Sequence, residues 1–177
     1  CCVFGMCKAN NVYSQFEPSL FVAAQKIPAV RIGEHFTYLG KIFDFELKNT
    51  KAKELLAEKL KNLLSITGKI KCKVQFKLKI IKMYIFAQIL FDLKIYSFTV
   101  TWVEQHLDNL CTESIRNWTE QPISSCVRES ASLPKNKGGL GIPTVKSLAE
   151  KMLLLKRNTL KNSSHADINL MWLNSSQ

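Results

Sequence analysis

Lysine side chains dominate the chemistry that this sequence offers between residues 46 and 82. The stretch holds eleven lysines and three glutamates, Glu46, Glu54 and Glu58, so it supplies +8 of the +11 formal charge of the 177-residue chain. Lysine ammonium groups act as point charges toward phosphate oxygens. The concentration of charge therefore predicts a polyanionic partner, and nucleic acid is favoured over an anionic membrane surface. A solvated lysine face that serves only solubility is the alternative.

The charge is densest at one predicted helix start. The lysines there are Lys69, Lys71, Lys73, Lys77, Lys79 and Lys82. Free N–H groups at a helix start add to the attraction for phosphate. Because Lys69, Lys73 and Lys77 are spaced four apart, we expect them to share one helix face. The stretch contains no arginine that could make a bidentate contact to a base, so the predicted binding is not sequence-specific.

No combination of residues predicts catalysis or metal binding. Glu104 and Asp108 stand at i and i+4, which favours a solvated helix face over a general acid–base pair. The glycine-rich run 138–141 lacks the Gly-Lys-Ser/Thr ending of a phosphate-binding loop and indicates a tight turn. The sequence also has no aspartate cluster able to hold two magnesium ions. We therefore predict no catalytic residue, metal ligand or cofactor in this chain.

The six cysteines and the ends of the chain indicate the cellular compartment of the protein and whether it is part of a longer one. The sequence has no CxxC pair, and the histidines lie far from the cysteines, which favours reduced thiols in an intracellular protein, nuclear or cytoplasmic. No apolar run approaches the ~20 residues that a bilayer requires, and no basic region followed by an apolar run opens the chain. The chain starts with Cys1 rather than Met, so we expect it to be part of a longer protein.

Short strands and turns are predicted for residues 1–45. Residues 29–32 and 35–39 have the residue types of two β segments, and Gly33-Glu34 between them suits a hairpin turn. Gly40 follows, where a backbone can bend or approach a ligand closely. A second alternating segment over 42–45 ends this region.

Helical periodicity begins near Glu46. Ala52, Leu56, Leu60 and Leu63 form an apolar stripe that predicts a helix to about Lys61, with a break at Gly68. A longer helix is predicted over 71–98; it is apolar on every side after Ile80, which predicts a central helix that its neighbours cover.

Two further helices are predicted in the remainder of the chain. One includes Trp102 to Trp118 and ends before Pro122. An irregular Gly- and Pro-rich segment follows over 133–143, and a last helix begins after Pro143 with Thr144 or Ser147 as its cap. The predicted fold class is mainly α with a small N-terminal β-hairpin region, and the predicted divisions are 1–45, 46–122 and 123–177.

Several phrases along the chain resemble one family, the reverse transcriptases of non-LTR (LINE-like) retrotransposons. Residues 1–6, Cys-Cys-Val-Phe-Gly-Met, resemble the strand after the polymerase active site, and 36–40, Phe-Thr-Tyr-Leu-Gly, resemble the primer-grip hairpin. The downstream phrases are Thr101-Trp102, Leu107-Asp108, Ile115-Arg116-Asn117-Trp118, Pro122, Leu133-Pro134 and 138–143, Gly-Gly-Leu-Gly-Ile-Pro. They occur in the order that the family uses.

The resemblance implies a helical thumb-like bundle over 46–122, preceded by the end of the palm and followed by a connector. Tyr38, Leu39 and Gly40 would position the 3′ end of a primer. The lysine-rich helices would hold an RNA–DNA or DNA duplex by its backbone, as a polymerase that must not read sequence requires. The Tyr-x-Asp-Asp turn of the family is absent from this sequence, so the resemblance implies that the Mg²⁺ ligands belong to the palm of the parent polymerase, whose palm and fingers would be partners. This chain alone is then expected to be inactive.

A protein-interaction module is the alternative function. In that hypothesis the apolar helix after Ile80 docks a partner domain, and the lysines only keep the chain in solution.

Overall fold

The computed structural model describes residues 2–10, 12–44, 49–122, 126–168 and 172. These residues are mainly helical, and small antiparallel hairpins lie in the N-terminal region, which confirms the predicted fold class. The chain divides into two compact units, Cys1–Ala52 and Lys53–Gln177. The second unit includes most of both regions predicted at 46–122 and 123–177. Among the described residues, no helix combines the length and the apolar character that crossing a bilayer requires.

Paired short strands make up the regular structure of the first unit. The pairs are β1 (Gly5–Ala9) with β2 (Val12–Phe16), β3 (Phe21–Val22) with β4 (Gln25–Lys26), and β5 (Phe36–Tyr38) with β6 (Lys41–Phe43). Gly5 lies so close to the Phe16 carbonyl that a Cβ on it would be 2.6 Å from that oxygen. Only glycine therefore fits at this position of the first hairpin.

The hairpin predicted at Gly33-Glu34 is wrong. The backbone of residues 30–33 pairs elsewhere: Val30 N–H donates to the Val3 carbonyl at 2.8 Å. The Gln15 side-chain amide donates to the Arg31 carbonyl at 2.9 Å and accepts the Gly33 N–H at 3.2 Å. Because these partners satisfy the backbone groups of the segment, it does not pair with β5. The hairpin forms further along the chain, between β5 and β6.

Helices make up the second unit. They are α1 (Thr50–Lys69), α2 (Val74–Ile80), α3 (Phe86–Ile95), α4 (Val100–Trp102), α5 (Asn109–Thr119), α6 (Val127–Ser132) and α7 (Val145–Lys161). π-helical turns over Ile81–Ile85 and Val103–Asp108 join α2 to α3 and α4 to α5 as continuous helices. A 3₁₀ turn occupies Lys135–Lys137. α6 was not predicted.

The core of the second unit forms where the predicted stripes meet. Leu56, Leu60 and Leu64 of α1 are buried with Ile81 and Ile85 of the π-helical turn in one apolar cluster. Full burial of each such side chain favours folding by about 1.5–3 kcal/mol. Lys59 ties α1 to α3, since its Nζ lies 3.3 Å from a carboxylate oxygen of the buried Asp92. α1 continues past the expected break at Gly68 by one residue.

The long helix formed by α2, the π-helical turn and α3 is only partly covered. Ile85 and Ile89 are completely buried, yet Met83, Tyr84 and Phe91 expose 76%, 56% and 52% of their surface. The prediction that neighbours cover this helix on all sides is therefore wrong for one face.

α7 completes the second unit by packing on α3 and on the turn Val103–Asp108. Its cap is Thr144, whose Oγ1 accepts the Ser147 N–H at 3.1 Å, so of the two predicted caps Thr144 is the one used. Upstream, α5 ends where Glu120 takes a left-handed φ of 55°. Ser124 and Ser125, which follow the predicted stop at Pro122, lie outside the described residues.

Candidate nucleic-acid interface

The hairpin tip carries the three residues that the primer-grip resemblance singled out. Tyr38 ends β5 opposite Lys41, and Leu39 and Gly40 form the two-residue turn between them. Both turn residues have positive φ, 49° and 74°, which is the requirement of a type I′ hairpin. Tyr38 exposes 64% and Leu39 81% of its surface. The turn therefore presents an aromatic and an aliphatic side chain to solvent on a short, pre-formed loop.

The junction between α1 and α2 carries the first three predicted phosphate-binding lysines. Lys69 is the last residue of α1, Lys71 lies in the connection, and Lys73 is the N-cap position of α2. All three are exposed, and among the described residues none forms an ion pair or hydrogen bond with their ammonium groups. The expectation that Lys69, Lys73 and Lys77 share one helix face is wrong. The helix stops after Lys69, and a tight turn, in which Cys72 N–H donates to the Ile70 carbonyl at 2.9 Å, separates it from α2.

Lys77 has a structural role. Its Nζ donates to the Gly68 carbonyl at 2.8 Å and lies 5.6 Å from the centre of the Trp118 ring. The bond satisfies a carbonyl at the end of α1, where helices leave such groups unpaired. Gly68 itself packs closely, since a Cβ there would lie 3.2 Å from the Trp118 Nε1. Lys77 is thus held at the α1–α2–α5 contact and is less available to a ligand than its sequence neighbours.

Lys79 and Lys82 line a shallow groove of about 230 Å³. The groove is lined by Gln75, Leu78, Lys79, Lys82, Lys135, Leu140 and Ile142. Lys135 was missed in the sequence analysis because it lies 53 residues from Lys82 in a Gly- and Pro-rich segment. The structure brings this segment beside α2, so three lysines line one groove together with Leu78, Leu140 and Ile142. The Lys79 Nζ lies 5.6 Å from the centre of the Phe76 ring. No described residue that lines the groove is acidic.

The other lysines of the basic stretch differ in availability. Lys59 donates to the Gln88 carbonyl at 2.7 Å as well as to Asp92, and Lys53 lies 5.7 Å from the centre of the Trp102 ring. Lys61 is exposed. Glu46 and Lys48, which the charge count includes, lie outside the described residues. Within the described part of the basic stretch, the exposed lysines are Lys51, Lys61, the three at the α1–α2 junction, and Lys79 and Lys82 at the groove.

The acidic pair Glu104 and Asp108 has a structural role, and its assignment to a solvated helix face is wrong for Asp108. Asp108 is buried, with 3% of its surface exposed, and its carboxylate oxygens accept the Val145 N–H at 2.5 Å and the Lys146 N–H at 3.1 Å. The carboxylate thus caps the start of α7 from another helix. Burial raises the pKa of Asp108, opposed by these two N–H groups. Because the cap is formed 37 residues away in sequence, local periodicity gave no sign of it.

Glu104 completes this polar cluster. It accepts from Lys146 Nζ at 2.9 Å and from Arg128 Nη1 at 3.0 Å, joining the turn before α5 to α6 and α7. The hydrogen bond and the charge of Lys146 lower the pKa of Glu104, and the same bond raises the pKa of Lys146. Asp92, Glu104 and Asp108 are therefore engaged in holding helices together.

The described part of the chain contains five free cysteines. Cys2, Cys7, Cys72, Cys111 and Cys126 are free, and burial raises the pKa of the Cys111 thiol to about 12, which makes it unreactive at neutral pH. Within residues 2–10, 12–44, 49–122 and 126–168, no three His, Cys, Asp or Glu side chains are grouped so that they could hold a metal ion.

No protein-family model matches the chain, and a search of curated proteins found no match.

Proposed function

We propose that this chain holds a primer–template duplex, RNA–DNA or DNA, by its phosphates as part of a reverse transcriptase of the non-LTR retrotransposon type. The observation that carries the proposal is the exposed group of lysines at the α1–α2 junction, Lys69, Lys71 and Lys73. Three exposed ammonium groups at one helix junction suit a regularly charged backbone. Their chemistry carries no base readout, so the binding is independent of sequence.

The hairpin tip supports the same function. Tyr38 and Leu39 are exposed at a two-residue turn. Gly40 has a φ of 74°, a backbone conformation that residues other than glycine rarely adopt. Such a tip can place an aromatic ring against a terminal base or sugar while its backbone approaches closely. In the proposed function the tip positions the primer end. The palm and fingers of the same polymerase supply the Mg²⁺ ligands and the chemistry, inside the cell, in the nucleus or cytoplasm.

The test compares two triple variants with equal loss of charge. Lys69→Gln/Lys71→Gln/Lys73→Gln removes the junction lysines, whereas Lys94→Gln/Lys151→Gln/Lys161→Gln removes exposed lysines of α3 and α7. Fluorescence anisotropy with a labelled RNA–DNA hybrid is expected to show a loss of about tenfold or more for the junction variant, about 1.4 kcal/mol, and a smaller loss for the control. Equal losses would overturn the assignment of the junction lysines.

A helical protein-interaction module is the second candidate. The exposed face that includes Met83, Tyr84 and Phe91 favours it, because large apolar side chains at a surface mark contact sites. Sedimentation of the chain at low and high salt separates the two functions. Association that grows with concentration, resists salt and is removed by Met83→Ser/Phe91→Ser, in a chain that binds no nucleic acid, would favour this candidate.

A further inference from the structure

The groove between α2 and the Gly-rich segment combines positive charge with an apolar floor. Lys79, Lys82 and Lys135 supply the charge, and three aliphatic side chains, Leu78, Leu140 and Ile142, supply the floor. A ligand that matches both must carry an anionic group and an apolar face close together. A nucleotide unit does so, since its phosphate and its base lie on either side of one sugar.

The wall formed by the Gly-rich segment is fixed in place. Its backbone is tied to the end of α6: Leu140 N–H donates to the Ser130 carbonyl at 3.2 Å, and Ile142 N–H to the Ala131 carbonyl at 2.8 Å. A Cβ on Gly139 would lie 2.1 Å from the Leu133 carbonyl oxygen, so the chain can pass there only with glycine. These bonds pre-organise Lys135 and Leu140, which lowers the cost of ordering them on binding.

The same bonds decide which groups contact a phosphate. Gly138 N–H donates to the Lys135 carbonyl at 3.1 Å, Gly139 N–H to the Pro134 carbonyl at 3.1 Å and Gly141 N–H to the Leu133 carbonyl at 2.9 Å. Because these amides are already paired, the segment is no phosphate-binding loop of backbone N–H groups. An anion in the groove is held by the lysine side chains.

Size and exposure restrict the occupant further. At about 230 Å³ the groove is smaller than the ~300 Å³ at which pockets for whole small-molecule ligands begin. In a duplex the bases are stacked inside, so a paired strand offers the groove only phosphates and leaves the apolar floor uncovered. An unpaired strand can turn one base onto apolar side chains while its phosphates meet the cations.

We propose that this groove is a subsite for one unpaired nucleotide of a nucleic-acid strand, with its phosphate at Lys79, Lys82 and Lys135 and its base on Leu78, Leu140 and Ile142. The inference rests on the proposed function and extends it, because it adds a single-strand contact beside the duplex contact. A strand leaving the duplex is then held at the groove.

Anisotropy with three labelled DNAs tests the subsite: a blunt duplex, the same duplex with a short single-stranded tail at either end, and the tailed duplex with abasic tail sites. For the unaltered chain we expect the tail to raise affinity by about tenfold, about 1.4 kcal/mol. The abasic tail is expected to lose most of that gain. A blunt duplex that binds as well as the tailed one, or an abasic tail that binds as well as the intact tail, overturns the subsite and leaves the duplex function standing. No binding to any of the three overturns both.

Variants with a matched control locate the contact. Lys135→Gln and Leu140→Asn are expected to remove the gain from the tail and to leave blunt-duplex affinity unchanged. Lys137→Gln, in the same 3₁₀ turn but not lining the groove, is expected to keep the gain. Equal effects of Lys135→Gln and Lys137→Gln would overturn the subsite. So would Lys135-dependent binding of oligo-glutamate as tight as that of the tail, because it would show that charge alone is recognised. Thermal unfolding checks that each variant is folded.

Discussion

Lys73 and Lys77, four residues apart, have different roles. Lys77 binds the Gly68 carbonyl and lies over Trp118, whereas Lys73 is exposed. We therefore expect Lys77→Gln to lower the free energy of unfolding by about 1 kcal/mol, through the lost hydrogen bond and cation–π contact. Lys73→Gln should leave stability unchanged and weaken duplex binding. Urea unfolding of both variants measures the difference, and an unaltered midpoint for Lys77→Gln would contradict the structural role.

Asp108 is the residue on which the attachment of α7 depends most. Asp108→Ala leaves the Val145 and Lys146 N–H groups without their acceptor at a buried position. We expect a loss of about 1–3 kcal/mol in the free energy of unfolding. Asp108→Asn should lower the free energy of unfolding by less, because asparagine keeps one acceptor oxygen. Asparagine also has no charge to bury, whereas burial of the Asp108 carboxylate raises its pKa. Asp167→Ala, at an exposed site, is the control; an equal loss there would refute the capping role.

Glu104 makes stability depend on pH in the direction opposite to Asp108. Because Lys146 lowers the pKa of Glu104, its contribution is present above the pKa of the unfolded chain and is lost as pH falls through the folded pKa. The raised pKa of Asp108 instead favours folding at low pH. Glu104→Gln should therefore destabilise the chain at about pH 7 and much less at about pH 3, as measured by urea unfolding. The same loss at both pH values would exclude the ion pair as its cause.

At the scale of elements, the β5–β6 hairpin contains backbone strain at its tip, which a binding site there would explain. Leu39 has a φ of 49°, a region in which leucine is strained and asparagine is tolerated. Leu39→Asn creates the preferred Asn-Gly turn and should raise the free energy of unfolding by about 0.5–1 kcal/mol. In the proposed function it should also weaken binding to a primer end. Leu20→Asn, an exposed leucine without a positive φ, is the control; a similar gain there would contradict the strain argument.

The longer helices could be predicted from sequence because their apolar stripes are long and regular, whereas the six-residue α6 has no such stripe. Leu56 and Leu60 mark α1, and Thr144 marks the start of α7, by purely local signals. The hairpin was predicted at the wrong place because Gly33 has the residue type of a turn. No local signal shows that the Gly33 N–H is hydrogen-bonded to the Gln15 side chain. Nor does one show that Leu39 has a positive φ in the actual turn. Residues share a helix face only if the helix continues through all of them. Because α1 ends at Lys69, this residue is not on one helix face with Lys73 and Lys77 as predicted.

At the scale of the whole molecule, charge and length indicated a basic helical protein, and the structure sorts that charge. Some lysines hold helices together, as Lys59 and Lys77 do, and others remain exposed at the α1–α2 junction and the groove. Neither Lys135 nor the cap at Asp108 could be predicted, because both depend on segments that meet only after folding. Local pattern therefore predicts the elements, and tertiary contact decides which side chains stay free to bind.

The salt dependence of binding to an RNA–DNA hybrid tests the central claim most directly. Phosphate binding releases counterions, so log K falls linearly with log salt, by about 0.9 per phosphate contacted for a B-form duplex. We predict a steep slope that is the same for two hybrids of unrelated sequence and that becomes shallower in Lys69→Gln/Lys71→Gln/Lys73→Gln, by up to that amount per lysine. Binding that is insensitive to salt, that differs between the two sequences, or that keeps its slope in the triple variant would contradict a duplex held by its phosphates.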